Sequence, residues 1–251
     1  MRYVLLSLFL LSFTSWAQDD ALSFRLEKIR LQYNLPSLSA AILKNGVISR
    51  IAATGVREIG KDTKVTTNDK YHLGSATKSI TATLAAIIIE EGKLKWKATL
   101  SDLFPELVIH EAYKHVTFDM LLSHRSGMFK GIPQYEEIEQ AMESASGVVE
   151  KRAIVSTHLL LKNPEFKPDT KDSYSNVAYV VAAHVLERIT KRSWEELITD
   201  KIFSRLSMNS CGFGPLGNID EVTPSAPIAH ISNQGVKRQL ETGTDDNYNY
   251  A

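Results

Sequence analysis

Hydrophobic residues recur at helical spacing soon after residue 20. Leu22, Leu26, Ile29 and Tyr33 lie three or four positions apart, which predicts a helix over residues 21–33. The period then changes from that of a helix to that of a strand, so a second kind of element follows at once.

Two β-type segments come next, at residues 38–43 and 47–54. They flank Asn45-Gly46, the dipeptide most typical of a two-residue hairpin turn. The pattern predicts an antiparallel hairpin directly after the first helix.

Two longer apolar runs predict buried helices further along the chain. Residues 80–89 are almost wholly Ala, Thr, Leu and Ile, and charge returns only at Glu90 and Glu91. Residues 177–189 form the second run, which begins after a polar loop at 163–172. Between the two runs, the pattern indicates short helices and loops.

Beyond Gly212 the chain is rich in Pro, Gly, Asn and Asp, and no strand or helix is predicted there. A single two-stranded hairpin makes a marginal sheet, so further strands are needed. Either later strands are too weakly marked to recognise, or the C-terminal strands are missing from this chain. We favour the second interpretation, and we expect residues 18–251 alone to be poorly soluble and inactive.

The composition allows an enzyme core and disfavours several classes of function. With 43% apolar residues in 251, the chain can bury one large core or two small ones. Its 29 basic and 29 acidic residues balance, so no overall field favours nucleic acid or an anionic membrane. The single cysteine, Cys211, rules out an intrachain disulfide, and the seven histidines form no metal-binding motif. We expect no metal and no other cofactor.

Residues 1–17 have the three parts of a secretory signal. Arg2 precedes a short apolar run at residues 4–13, and Ser15-x-Ala17 offers a cleavage site before Gln18. The run is too short to span a membrane, so we expect no stable membrane anchor after cleavage. A hydrophobic core helix is the alternative. The signal predicts a secreted protein, and the lack of disulfides suits a bacterial periplasm.

Ser75 and Lys78 stand three residues apart where the first apolar run begins. On a helix this spacing turns both side chains to one face. A serine needs an adjacent base to act as a nucleophile, and a lysine can be that base when burial lowers its pKa. The motif Ser-x-x-Lys arises easily by chance, however, and a surface serine and lysine on a helix are the simpler explanation.

A second polar group, Tyr174-Ser175-Asn176, precedes the second apolar run. A phenol beside an ammonium loses its proton more readily and can serve as a general base. The Asn176 amide can hold both a lysine and a substrate amide. The alternative is a helix-entry loop in which Ser175 or Asn176 caps the helix, and both interpretations can hold together.

Four stretches follow one another along the chain, in the order YHLGSATKSITA, EEGKLKWKATLSDLFPEL, FDMLLSHRSGM and YSNVAYVVAAHVLERIT. Together they resemble the penicillin-recognising serine hydrolases. The branch they match contains class C β-lactamases, serine esterases and D-alanyl-D-alanine carboxypeptidase-like proteins, and the resemblance covers most of residues 21–215. It implies an α+β fold, with an antiparallel sheet flanked by helices and a helical subdomain, in one domain from residue 18 to 251.

The resemblance also implies roles for the two polar groups. Ser75 matches the acylated nucleophile, and Lys78 matches the lysine of Ser-x-x-Lys. Tyr174 and Asn176 match the family's Tyr-x-Asn, in which Asn176 would bind the substrate. The LLSHRSG run at residues 121–127 looks structural, so His124 is interpreted as a loop histidine bonded to backbone.

The family's third motif, a basic residue followed by x and Gly on a strand, is where this sequence departs. The only similar string, residues 241–243 (Glu-Thr-Gly), begins with the wrong charge and is better explained as a polar turn. The motif and its oxyanion-hole donor are therefore expected beyond residue 251.

The predicted function is that of an exported serine hydrolase. It would act through an acyl-enzyme on a lactam, a D-amino-acid peptide or a small ester, with a small-molecule or peptidoglycan-derived partner. The alternative is a non-hydrolysing penicillin- or peptidoglycan-binding protein of the same fold. An α/β-hydrolase is disfavoured, because no Gly-x-Ser-x-Gly occurs.

Overall fold

The structure, a computed structural model, describes residues 21–214, 216, 225–233 and 236–239. The chain divides into two compact units. Among the described residues, the first unit holds residues 21–72 and those from 214 to 239, and the second holds residues 73–213. The predicted signal at residues 1–17 and the Glu-Thr-Gly string at 241–243 lie outside the described residues.

The first unit opens with the predicted helix and hairpin. Residues 21–32 are helical (α1), and strands β1 (Ser37–Lys44) and β2 (Val47–Gly55) pair antiparallel. Asn45 and Gly46 both have positive φ, at 52° and 77°, as a tight hairpin turn of this kind requires. The prediction of a hairpin is therefore confirmed to within a residue at each end.

A second hairpin follows in the same unit, formed by β3 (His230–Asn233) and β4 (Val236–Gln239). This differs from the prediction that no strand follows residue 212. The two segments, HISN and VKRQ, carry too few apolar residues to show the alternation by which strands are recognised. Within the described residues, β1 pairs only with β2, and β3 only with β4.

The second unit is helical and holds a contiguous apolar core. Its first long helix, α2, buries Thr81, Leu84, Ala85 and Ile88, which form one stripe at helical spacing. The apolar run at residues 80–89 is therefore buried on one face rather than all round. The α-helices of this unit are α2 (Thr77–Glu90), α3 (Leu100–Leu103), α4 (Phe118–Leu122), α5 (Glu136–Glu143), α6 (Val148–Leu160), α7 (Asn176–Thr190) and α8 (Trp194–Ile198).

Helix α7 is the centre of this unit. Every residue from 177 to 187 is buried, so the helix is enclosed on all of its faces. Helices α2, α4, α6 and α8 pack around it. The Ser175 side chain caps its first turn by accepting the backbone N–H of Ala178, and Lys191, in the left-handed region at φ 57°, ends it.

A buried ion pair ties three of these helices together. Arg152 of α6 is 2.6 Å from Glu187 of α7 and 2.8 Å from Glu195 of α8, and the Arg152 and Glu187 side chains are almost fully buried. Glu187 also accepts the backbone N–H of Trp194 at 2.9 Å. The carboxylate therefore joins the end of α7 to the start of α8 and to the middle of α6.

Replacing Arg152 with methionine is expected to lower the free energy of unfolding by about 3–5 kcal/mol, because the Glu187 carboxylate would stay buried without its cation. Equilibrium unfolding in urea measures the change. Arg192→Met is the matched control, since it breaks an exposed ion pair with Asp200 and should cost less than about 1 kcal/mol. Equally small losses in both variants would show that Arg152 is not a structural link.

Candidate active site

Ser75 lies just before α2, in a single 3-10 turn at Gly74–Ala76. It was predicted in the first turn of the helix, and it stands two residues ahead of the first helical residue, Thr77. Gly74 has φ 54°, a conformation in which a side chain would be strained. The turn leaves the Ser75 side chain exposed to solvent at the head of the helix.

The Ser75 hydroxyl contacts the phenol of Tyr174. Their oxygens are 2.5 Å apart, and either can be the donor. Tyr174 belongs to the segment that enters α7 and keeps 41% of its surface exposed. Both oxygens therefore lie where a substrate from solvent can reach them.

Lys78, one turn further along α2, is held beside the same phenol. Its Nζ donates to Asn176 Oδ1 at 2.7 Å. The ammonium also lies 5.0 Å from the ring centre of Tyr174 and 5.3 Å from that of Tyr179, within the range of cation–π attraction. The structure thus brings together all four residues that the sequence predicts for the site, and all four belong to the second unit.

The pKa of Tyr174 is lower than the ordinary value of 10. Partial burial raises the pKa, but hydrogen bonds from Ser75 and Lys78 and the positive charges of Lys78 and Lys130 outweigh it. The surroundings therefore favour the phenolate more than water does. A phenolate can accept the proton of a neighbouring hydroxyl, which is the task of a general base.

The segment that carries Tyr174 is bonded to the loop after α4. Ser175 Oγ donates to the backbone oxygen of Phe129 at 2.6 Å, and the backbone N–H of Asn176 donates to that of Lys130 at 2.8 Å. Ser175 also caps α7. The capping interpretation and the site interpretation of Tyr174-Ser175-Asn176 therefore hold together, in different side chains.

His124 does not contact Ser75. Its Nδ1 accepts the backbone N–H of Ser175 at 3.1 Å, as expected of a loop histidine bonded to backbone. Burial, and then the charge of Lys78, hold the pKa of His124 below its ordinary 6.5. The ring is therefore neutral at neutral pH.

Tyr179 is a site residue that the sequence analysis missed. Its ring faces the Lys78 ammonium, and its hydroxyl donates to the backbone oxygen of Leu122 at 2.9 Å. The one sequence signal was its spacing, because Tyr179 follows Asn176 by three positions on a helix and so shares its face. That spacing alone does not place the ring against Lys78, which belongs to another helix.

Metal-binding clusters and membrane-spanning helices are both absent from the described part of the chain. No cluster of three or more His, Cys, Asp or Glu side chains is placed to hold a metal ion there. Nor does any helix among these residues have the length and apolar character needed to span a membrane.

Comparison with known proteins gives the family of the chain. The sequence profile named Beta-lactamase matches residues 18–241, which is most of the chain. The chain belongs to the β-lactamase family. The predicted resemblance is confirmed, and with it membership of the serine hydrolases that act through an acyl-enzyme.

Individual relatives are distant. Penicillin-binding protein 4 of Amycolatopsis lactamdurans is 26% identical over 187 residues, which are 74% of this chain and 46% of that protein. This chain thus spans less than half the length of that curated relative.

Solved structures of other proteins share the fold. FmtA from Staphylococcus aureus superposes with a TM-score of 0.65 at 23% identity, over 90% of this chain and 60% of that one. The D-amino acid amidase of Ochrobactrum anthropi, in a complex with L-phenylalanine, gives 0.63 at 19% identity, over 86% of this chain and 56% of that one. The predicted α+β fold is confirmed.

Proposed function

We propose that this protein is an exported serine hydrolase, acylated at Ser75, that acts on a lactam, a D-amino-acid peptide or a small ester. The observation that carries the proposal is the 2.5 Å contact between the Ser75 hydroxyl and the Tyr174 phenol, beside the Lys78–Asn176 pair. The family uses acyl-enzyme chemistry, and this arrangement supplies a nucleophile with a base in contact.

Tyr174 is the proposed general base. Its phenolate takes the proton of Ser75 Oγ while that oxygen forms a bond to the substrate carbonyl carbon. As the tetrahedral intermediate collapses, the bond from carbon to the leaving nitrogen or oxygen breaks, and the proton passes from the phenol to the leaving group. Hydrolysis of the acyl-enzyme ester then follows the same steps, with water as the nucleophile and Ser75 Oγ as the leaving group.

Lys78 and Asn176 have supporting roles in this proposal. The Lys78 ammonium stabilises the phenolate, because it lies beside the Tyr174 ring. Asn176 accepts from Lys78 through Oδ1, so its amide NH₂ is left to donate to a carbonyl oxygen of the substrate. Asn176 is therefore the proposed substrate-binding residue.

The developing negative charge needs donors near Ser75. The backbone N–H of Ser75 has no acceptor among the described residues, and it lies at the N-terminal end of α2, where the helix dipole favours an anion. We propose that it is one oxyanion donor. The third motif, which would supply another, remains a prediction.

The substrate class is proposed by analogy with similar proteins, and the location is proposed from the N-terminal sequence. The relatives include a penicillin-binding protein and a D-amino acid amidase, which support a lactam or a D-amino-acid derivative as substrate. The signal predicted at residues 1–17 supports export to the periplasm or the medium. A binding protein that is acylated without turnover is the second candidate, because the penicillin-binding relative is named for binding.

Labelling tests the nucleophile. The complete protein is expected to form a covalent adduct with a fluorescent penicillin or a fluorophosphonate, mapped by peptide mass spectrometry to Ser75. Ser75→Ala should abolish the adduct. Ser79→Ala should leave it, because the Ser79 hydroxyl, in the first turn of α2, donates to the backbone oxygen of Ala76. Label on another serine would overturn the assignment. The lifetime of the adduct separates hydrolase from binding protein.

Removing the base tests activation. Tyr174→Phe and Lys78→Ala are each expected to slow acylation by about two orders of magnitude, because the Ser75 proton loses its acceptor or the phenolate loses its cation. The two losses should not add in the double variant, since both residues serve one proton path. Single-turnover acylation rates decide it. Wild-type rates in both single variants would remove these residues from the mechanism.

A further inference from the structure

His124 holds both neighbours of Tyr174. Its backbone oxygen accepts the N–H of Ser173 at 2.8 Å, and its Nδ1 accepts the N–H of Ser175 at 3.1 Å. The residue has a left-handed backbone conformation, with φ 60°, which is uncommon for a residue other than glycine. One residue therefore fixes the chain on either side of the phenol.

The imidazole ring also packs on the phenol itself. Its centre is 4.7 Å from the Tyr174 ring and 5.4 Å from the Tyr179 ring, both at tilted angles. Tyr174 is partly exposed, so its ring needs such a contact to stay in one rotamer while its hydroxyl bonds to Ser75.

We propose that His124 is a positioning residue for the Tyr174 phenol, holding the ring and both flanking peptides so that the hydroxyl stays on Ser75. The inference rests on the proposed function, in which Tyr174 is the base. His124 itself does not touch Ser75, and it takes no proton in the reaction. We expect it to affect the rate only because it sets the position of the Tyr174 hydroxyl oxygen.

The role requires a neutral ring. Nδ1 can accept from Ser175 only when it carries no proton, so the proton of the neutral ring lies on Nε2. Protonation would put a hydrogen on Nδ1, so that two donors would face each other at the N–H of Ser175. It would also place a second cation near Lys78.

The titratable groups that face the imidazole are Tyr174, Tyr179 and Lys78, and none of them is a carboxylate. The neighbouring Arg125 is paired with Asp169. Nothing among the described residues therefore stabilises an imidazolium here, and positioning is expected to fail only in acid, below the ordinary histidine value of about 6.5.

A double-mutant cycle tests the proposal in the complete protein. His124→Asn tolerates the left-handed backbone and keeps a side-chain oxygen that can accept, but it removes the ring. We expect it to slow acylation about tenfold or more when Tyr174 is present, because a small misplacement of the base costs that much. In the Tyr174→Phe background, the same substitution should change the rate less than about twofold.

A matched control separates positioning from general stability. His110 also accepts a backbone N–H through Nδ1, from Ala112 at 3.2 Å, but it is not among the site residues. His110→Asn should leave the acylation rate unchanged in both backgrounds. An equal loss from His124→Asn with tyrosine and with phenylalanine at 174, or no loss at all, would overturn the proposal. If Tyr174→Phe alone acylates at the wild-type rate, the proposed function fails first.

Nitrogen NMR of the histidines gives a second measurement that needs no variant at His124. Nδ1 of His124 should be unprotonated at pH 7, and the ring should titrate below 6.5, together with an additional fall in the acylation rate. A proton on Nδ1 at neutral pH, or a titration with no change in rate, would also overturn the proposal.

Discussion

The burial of α7 from residue 177 to residue 187 is the constraint on which the site depends. A helix enclosed by α2, α4, α6 and α8 cannot shift or rotate without disturbing all four contacts, because protein interiors are close-packed. Its first residue, Asn176, and the segment before it are therefore held in place by the core. The same packing sets the start of α2, with Lys78 and with Ser75 in the turn just before it, against the start of α7.

Polar contacts fix the two ends of α7 within this packing. The Arg152–Glu187 pair fixes the far end of α7, whereas Ser175, His124 and the loop after α4 fix its near end. Each of these contacts bonds a group that would otherwise be unsatisfied, so each stabilises the fold as well as the site. The phenol of Tyr174 is the exception, because its hydroxyl contacts a second hydroxyl and stays partly exposed.

Much of this could be predicted from the sequence, for identifiable reasons. The helix at residues 21–32, the Asn45-Gly46 hairpin and α7 have strong periodicity or a diagnostic turn. The four site residues were predicted from stretches that resemble the family. The β3–β4 hairpin was missed, because its strands have few apolar residues. Tyr179 was missed, because its contact with the Lys78 ammonium depends on how two helices pack, which only the tertiary structure determines.

Both contacts that define the site join distant parts of the chain. Ser75 meets Tyr174 across 99 positions, and Lys78 meets Asn176 across 98. Contacts of such separation close late in folding, since the entropy of closing a long loop must be overcome first. During synthesis from the N-terminus, Ser75 emerges well before the residue that would activate it. In the proposed mechanism, a nascent chain that has not yet reached α7 therefore carries an unactivated serine, and the nucleophile forms only when the helical unit has folded.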